Sequence, residues 1–212
     1  IRMSNLNNIF LTDQVLDLIA DSIASQGYVL LENFLPIDLA SSLLTDAEVL
    51  SRTKFKAAGI GRNEDNKLDS KIRTDSTLWL TQKMVPQVTY ISVMERLQQG
   101  VNQRLFMGLS EFECHYSHYQ KGDFYLRHLD AFKSQQSSTQ KNRRLSSVFY
   151  LTPDWQVEDG GELCLYADQK QVEPLINIAP MFNRCVLFLS DVFPHEVLTS
   201  NNDRYSIAGW YR

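Results

Sequence analysis

The chain has 212 residues, 43% of them hydrophobic and 22% charged, so it can bury a sizeable core and reads most simply as one domain, 1 to 212. A formal net charge of -4 and a pI near 5.6 give no electrostatic reason to expect nucleic acid or an anionic membrane as partner. Cys114, Cys164 and Cys185 are odd in number, form no C-x-x-C pair and sit in apolar stretches; with no membrane-length apolar run and no signal-peptide core, a cytoplasmic protein with reduced thiols is expected.

Thr12 suits the cap of a first helix whose stripe runs Val15, Leu16, Leu18, Ile19 and Ile23 and ends near Gly27. A short strand is predicted over 28–31. Pro36 fits the first turn of a second helix carrying Leu39, Leu43, Leu44 and Ala47. Ile91, Met94, Leu97, Val101 and Leu105 predict a third helix over 87–106, with Gly100 as a weak point within it.

After residue 110 the texture changes to short β-rich runs, at 111–119, 123–130, 145–152, 161–166, 172–178, 184–190, 195–199 and 204–211. The expected fold is α+β and mainly β: a double-stranded β-helix, or jelly roll, of about eight strands over 110–212, with N-terminal helices from 1–109 packed on one sheet. Two polar segments interrupt it, a finger loop at 56–77 and KSQQSSTQKNRR at 133–144. Both read as mobile, with solvated surface and substrate gating as equal alternatives.

The chemistry concentrates in His128-Leu129-Asp130, His195 and Arg204. Positions i and i+2 of a strand share a face, roughly 6.6 Å apart, so an imidazole and a carboxylate can converge on one ion. With His195 they make a two-histidine, one-carboxylate set, which holds Fe(II) on one side and leaves positions open for a chelating cosubstrate and dioxygen. Arg204 begins a strand on which Ser206, Ala208 and Trp210 share its face, a slot suited to a short dicarboxylate held bidentately by the guanidinium. Tyr150 can add a hydroxyl to that carboxylate. His115 and His118 point to opposite faces of one strand and cannot both join the same ion, although His115 can border the pocket.

Several stretches carry a family resemblance: HYQKGDFYLRHLDAF at 118–132, SSVFYLTPDW at 146–155, GGELCLY at 160–166, PHEVLTSNNDRYSIAGWYR at 194–212 and IRTDSTLWL at 72–80. The chain resembles the Fe(II)- and 2-oxoglutarate-dependent dioxygenases, and within them the prolyl 4-hydroxylases of the hypoxia-sensing and bacterial type. That resemblance implies iron on His128, Asp130 and His195, the distal carboxylate of 2-oxoglutarate on Arg204 and Tyr150, and Tyr119 near its chelating end. Tyr125 and Trp210 would line the pocket, while Arg73, Asp75 and Trp79 would shape the binding of a proline-containing peptide. It further implies hydroxylation of a prolyl residue with release of succinate and carbon dioxide, ascorbate as reductant, and, for a bacterial chain, elongation factor Tu as target.

Other readings of the same residues stand beside this one. An oxygenase of the same class could act on another side chain or a small molecule. A jelly-roll binding module would keep the fold without needing His128, Asp130, His195 and Arg204 to converge. A zinc hydrolase has no use for Arg204 and lacks a glutamate base at the metal, since Glu196 faces away from the His195 side of its strand.

Overall fold

The computed structural model describes residues 11–59, 69–131 and 142–212. Most of the polar run at 133–144 and the middle of the finger at 56–77 lie outside the described residues, as do Arg62, Glu64, Asp65 and Lys67. Helix α1 (Asp13–Gln26) is capped as expected: the Thr12 hydroxyl accepts from the Val15 N–H at 3.3 Å, and Gly27 closes the helix at φ 82°. Strand β1 (Tyr28–Leu31) and helix α2 (Ile37–Ser51) follow, with Pro36 at the N-cap of α2.

Helix α3 (Val85–Leu105) runs through Gly100 without a break, which corrects the expected weak point. The reason is packing. A Cβ at Gly100 would lie 2.6 Å from a Leu16 methyl, so the missing side chain lets α1 and α3 approach closely.

Strands β2 (Lys56–Ala57) and β3 (Ser76–Trp79) pair antiparallel through Lys56↔Thr77 and Ala57↔Ser76. The two ends of the expected finger loop are therefore strands, because β3 completes its hydrogen bonding against β4 (Phe112–Tyr119). The rest of the barrel is β5 (Tyr125–His128), β6 (Leu145–Tyr150), β7 (Leu163–Leu165), β8 (Ile176–Ile178), β9 (Cys185–Leu189), β10 (His195–Val197) and β11 (Arg204–Tyr211). Eight strands from β4 onward match the anticipated number. Together with β1, β2 and β3 they form two facing sheets of a jelly roll: β1-β9-β6-β11-β4-β3-β2 and β5-β10-β7-β8.

The pleat of the larger sheet sorts its side chains between two cores. Cys114, Tyr116, Leu145, Phe149, Cys185, Leu187, Ile207 and Tyr211 face the three helices and join Leu16, Ile19, Leu43, Met94 and Leu97. Their neighbours one residue along face the smaller sheet, where Tyr150, Val186 and Phe188 meet Leu163, Leu165 and Ile178. Cys114, Cys164 and Cys185 are all buried and free. No helix of the described residues is long and apolar enough to cross a membrane.

Replacing Gly100 by Val should lower stability by about 1–3 kcal/mol through overpacking against Leu16. Urea unfolding monitored by circular dichroism measures it; an unchanged midpoint would mean that the α1–α3 contact yields freely.

Candidate active site

Between the sheets lies a cavity of about 140 Å³ whose wall includes His128, Asp130, His195, Arg204, Ser206, Ala208 and Trp210. The histidines come together by direct strand pairing: His195 of β10 sits opposite His128 of β5, with ring centroids 4.2 Å apart. Each ring is fixed by its own backbone. Nδ1 of His128 lies 2.8 Å from the Leu126 carbonyl and Nδ1 of His195 lies 3.0 Å from the Phe193 carbonyl. A carbonyl can only accept, so both Nδ1 atoms carry the proton and both Nε2 lone pairs face the cavity.

Asp130 departs from the expectation of a continuous strand over 123–130. β5 ends at His128, and Asp130 lies beyond it in a bend, where the Ala131 N–H leaves the sheet to bind the Ser190 carbonyl. Its carboxylate still reaches the histidines, with Oδ1 3.7 Å from His128 Nε2 and Oδ2 3.5 Å from His195 Nε2. One donor atom from each of the three residues lies within 4.8 Å of the others, a spacing that suits a single ion. Burial lowers the His128 pKa to about 3, so its imidazole is neutral and free to ligate. Burial would raise the Asp130 carboxyl, but His195, His128, Arg143 and the Ser146 hydroxyl together hold it below the usual carboxylate range.

Arg204 opens β11 at the opposite end of the cavity, stacked near Tyr119 and Tyr150 with its guanidinium carbon 4.8 and 5.1 Å from their ring centroids. It is buried, and its Nε and Nη1 have no hydrogen-bond partner among the described residues; neither has the Tyr150 hydroxyl. Burial pushes the Tyr150 hydroxyl up to about 12, against the pull of Arg204, so it stays a protonated donor. A Cβ at Gly161, whose φ is 72°, would lie 3.0 Å from the Arg204 Cδ, so the missing side chain leaves room for the Arg204 stem. Unpaired buried donors of this kind are costly unless an anion meets them, and a carboxylate fits the fork.

Tyr119, Tyr125, Arg73 and Trp79 line the cavity, and the Tyr125 ring stacks on His128 at 3.6 Å. Asp75 does not reach the wall: it is fully buried and grips Arg73 bidentately, with Nε–Oδ1 at 2.5 Å and Nη2–Oδ2 at 2.9 Å. His115 borders the pocket between Trp79 and Trp210, whereas His118 faces the helical side and pairs with Asp203. Glu196 turns outward to Tyr166 and Arg127.

Two neighbours of the site were not anticipated. Arg143, read from the sequence only as part of a polar run, stacks on Trp210 at 3.6 Å, pairs with Glu113 and places Nη1 3.9 Å from Asp130 Oδ1. Ser146 donates to Asp130 Oδ2 at 2.7 Å. A basic residue ending a polar run and a serine starting an apolar strand carry no sequence signal for such contacts.

Fold and site define a jelly-roll protein with a two-histidine, one-carboxylate centre and a buried cationic anchor. The profile of the 2OG-Fe(II) oxygenase superfamily matches residues 114–212. A prolyl-4-hydroxylase of Pseudomonas putida is similar over 93% of this chain and 98% of its own, at 33% identity and a TM-score of 0.80. A Trichoplax adhaerens prolyl hydroxylase, solved with a hypoxia-inducible-factor peptide, superposes at a TM-score of 0.78 with 26% identity, over 94% of this chain and 89% of its own. Prolyl 3-hydroxylase OGFOD1 of Xenopus laevis is 37% identical over 78 residues, 34% of this chain but only 15% of that protein's length. The chain belongs to the 2OG-Fe(II) oxygenase superfamily.

His115 supplies a pH prediction. Burial, then Arg73 and Arg143, lower its pKa from 6.5 to about 3. The unfolded chain takes up the proton first, so this contribution to stability is intact above pH 6.5 and is lost as pH falls toward 3. Urea titrations of the metal-free protein should show His115→Gln flattening that slope, by at most about 1.4 kcal/mol per pH unit. An unaltered slope would count against a neutral His115.

Proposed function

We propose that this chain is an Fe(II)- and 2-oxoglutarate-dependent dioxygenase that hydroxylates a prolyl residue in a protein. The observation that carries the proposal is the pairing, in one cavity, of a three-residue metal set with the unpartnered Arg204 donors, beside which lies the equally unpartnered Tyr150 hydroxyl. A binding module has no need of that combination, and a zinc hydrolase none for the cationic fork.

In this reading His128, Asp130 and His195 hold the metal, and Arg204 with Tyr150 holds the far carboxylate of 2-oxoglutarate. When bound, iron and 2-oxoglutarate supply the oxidation that puts one oxygen atom of dioxygen into a C–H bond and the other into succinate, with loss of carbon dioxide. The protein binds, orients and excludes water. Ser206 and Ala208, small and on the Arg204 face of β11, leave room between anchor and metal. Tyr119 and Tyr125 pack the cavity side, the latter keeping the His128 ring in place. Arg73, held by Asp75, and Trp79 and Trp210 shape the entrance for a peptide. No side chain need act as nucleophile or general base.

The prolyl substrate is supported by the Pseudomonas putida and Trichoplax adhaerens relatives. Elongation factor Tu is the first target to test, and ascorbate the reductant to supply. Mass spectrometry of proteins from cells with and without this enzyme should reveal a proline gaining one oxygen atom; an oxidised product on another residue or a free small molecule would remove the prolyl assignment.

Asp130→Ala should abolish metal binding and succinate release. Arg204→Ala should keep the metal but raise the 2-oxoglutarate requirement by about 30-fold or more, the equivalent of about 2–5 kcal/mol for unpairing a buried charge. Anaerobic titration of 2-oxoglutarate into the ferrous protein, following the visible charge-transfer band, reads metal and 2-oxoglutarate binding in both variants, and succinate release is assayed with dioxygen present. Wild-type behaviour in both variants would favour a binding module.

A further inference from the structure

The Asp130 carboxylate cannot be aimed by the sheet, because its residue lies past the end of β5. Something else must hold it. We propose that Ser146 and Ser190 form a two-hydroxyl relay that fixes the orientation of Asp130, with Ser146 as the positioning residue and Ser190 setting Ser146. The proposal rests on the metal reading above.

The contacts run in one direction. Ser146 Oγ is 2.7 Å from Asp130 Oδ2 and 2.8 Å from Ser190 Oγ. An ionised carboxylate only accepts, so the single Ser146 proton goes to Asp130, and the Ser190 hydroxyl must donate to Ser146. All three residues are buried, at 1%, 0% and 7% exposure for Ser146, Ser190 and Asp130, which protects the chain from competition by bulk water.

The donors stand on rigid ground. Ser146 lies in the middle of the larger sheet, paired to Phe188 on one side and Trp210 on the other. Ser190 follows β9 directly, and its backbone binds both flanks of the site: its N–H donates to the Arg144 carbonyl at 3.1 Å and its carbonyl accepts from the Ala131 N–H at 3.3 Å. The same residue thus ties down the backbone beside Asp130 and, through Ser146, its side chain. Hydrogen bonding to a ligating carboxylate of this kind typically governs metal affinity.

Mn(II) binding to the metal-free protein, followed by the electron paramagnetic resonance signal of free Mn(II), tests this without turnover. Ser146→Ala should weaken affinity by about 10–100-fold. Ser146→Thr, which keeps the hydroxyl, should bind within a few-fold of wild type; a loss equal to that of Ser146→Ala would assign the effect to packing and overturn the relay. Ser190→Ala should weaken binding less, and the double variant should be no worse than Ser146→Ala, since Ser190 acts through Ser146. Ser147→Ala is the control, its hydroxyl having no partner among the described residues. Wild-type affinity in Ser146→Ala overturns the relay; should that variant not fold, wild-type affinity in Ser190→Ala does so. If the wild type itself binds no Mn(II), or Asp130→Ala binds as well as wild type, the metal reading fails instead.

Discussion

The antiparallel pairing of His195 with His128 is the contact on which the site depends. Strands separated by most of the C-terminal half of the chain meet at one register, so two imidazoles share a face and each uses a local carbonyl to turn its Nε2 inward. A slip of one residue in either strand would send its histidine to the outer face and part the two rings, because the side-chain period of a strand is two. The short β5 and the irregular register after His195 leave little sheet to enforce this. The Tyr125 stack on His128 and the Phe188 ring beside His195 supply further restraint.

Charge is arranged with comparable economy. Of the three arginines on the cavity wall, Arg73 is paired with Asp75 and Arg143 with Glu113, while Arg204 keeps Nε and Nη1 without a protein partner among the described residues. The paired arginines hold their neighbours in place; the unpaired one is left to meet a ligand. Asp130 provides the opposite charge at the far end, so the cavity has an anionic metal-binding end and a cationic end suited to a carboxylate.

Much of this was legible in the chain. Period-two alternation placed Arg204, Ser206, Ala208 and Trp210 on one wall, and the structure keeps them there. The strands from β4 to β11, the caps of α1 and the outward turn of Glu196 follow the same local rules. Misreadings came where a residue's surroundings are remote in sequence. Gly100 looks like a helix breaker until Leu16 is packed against it, and the finger ends look like loop until β4 offers β3 a partner and β3 offers one to β2. Asp75 was grouped with the peptide-binding residues, yet burial beside Arg73 makes it a support.

The sequence by itself determined which side chains could serve a ferrous centre and a dicarboxylate, because residue chemistry and strand periodicity are local properties. Only the tertiary structure decided that Asp130 would stand outside its strand and be held by Ser146, and that Arg143 would leave a polar run to stack on Trp210. Such contacts join residues through space across sheets, and no spacing along the chain encodes the distance between them.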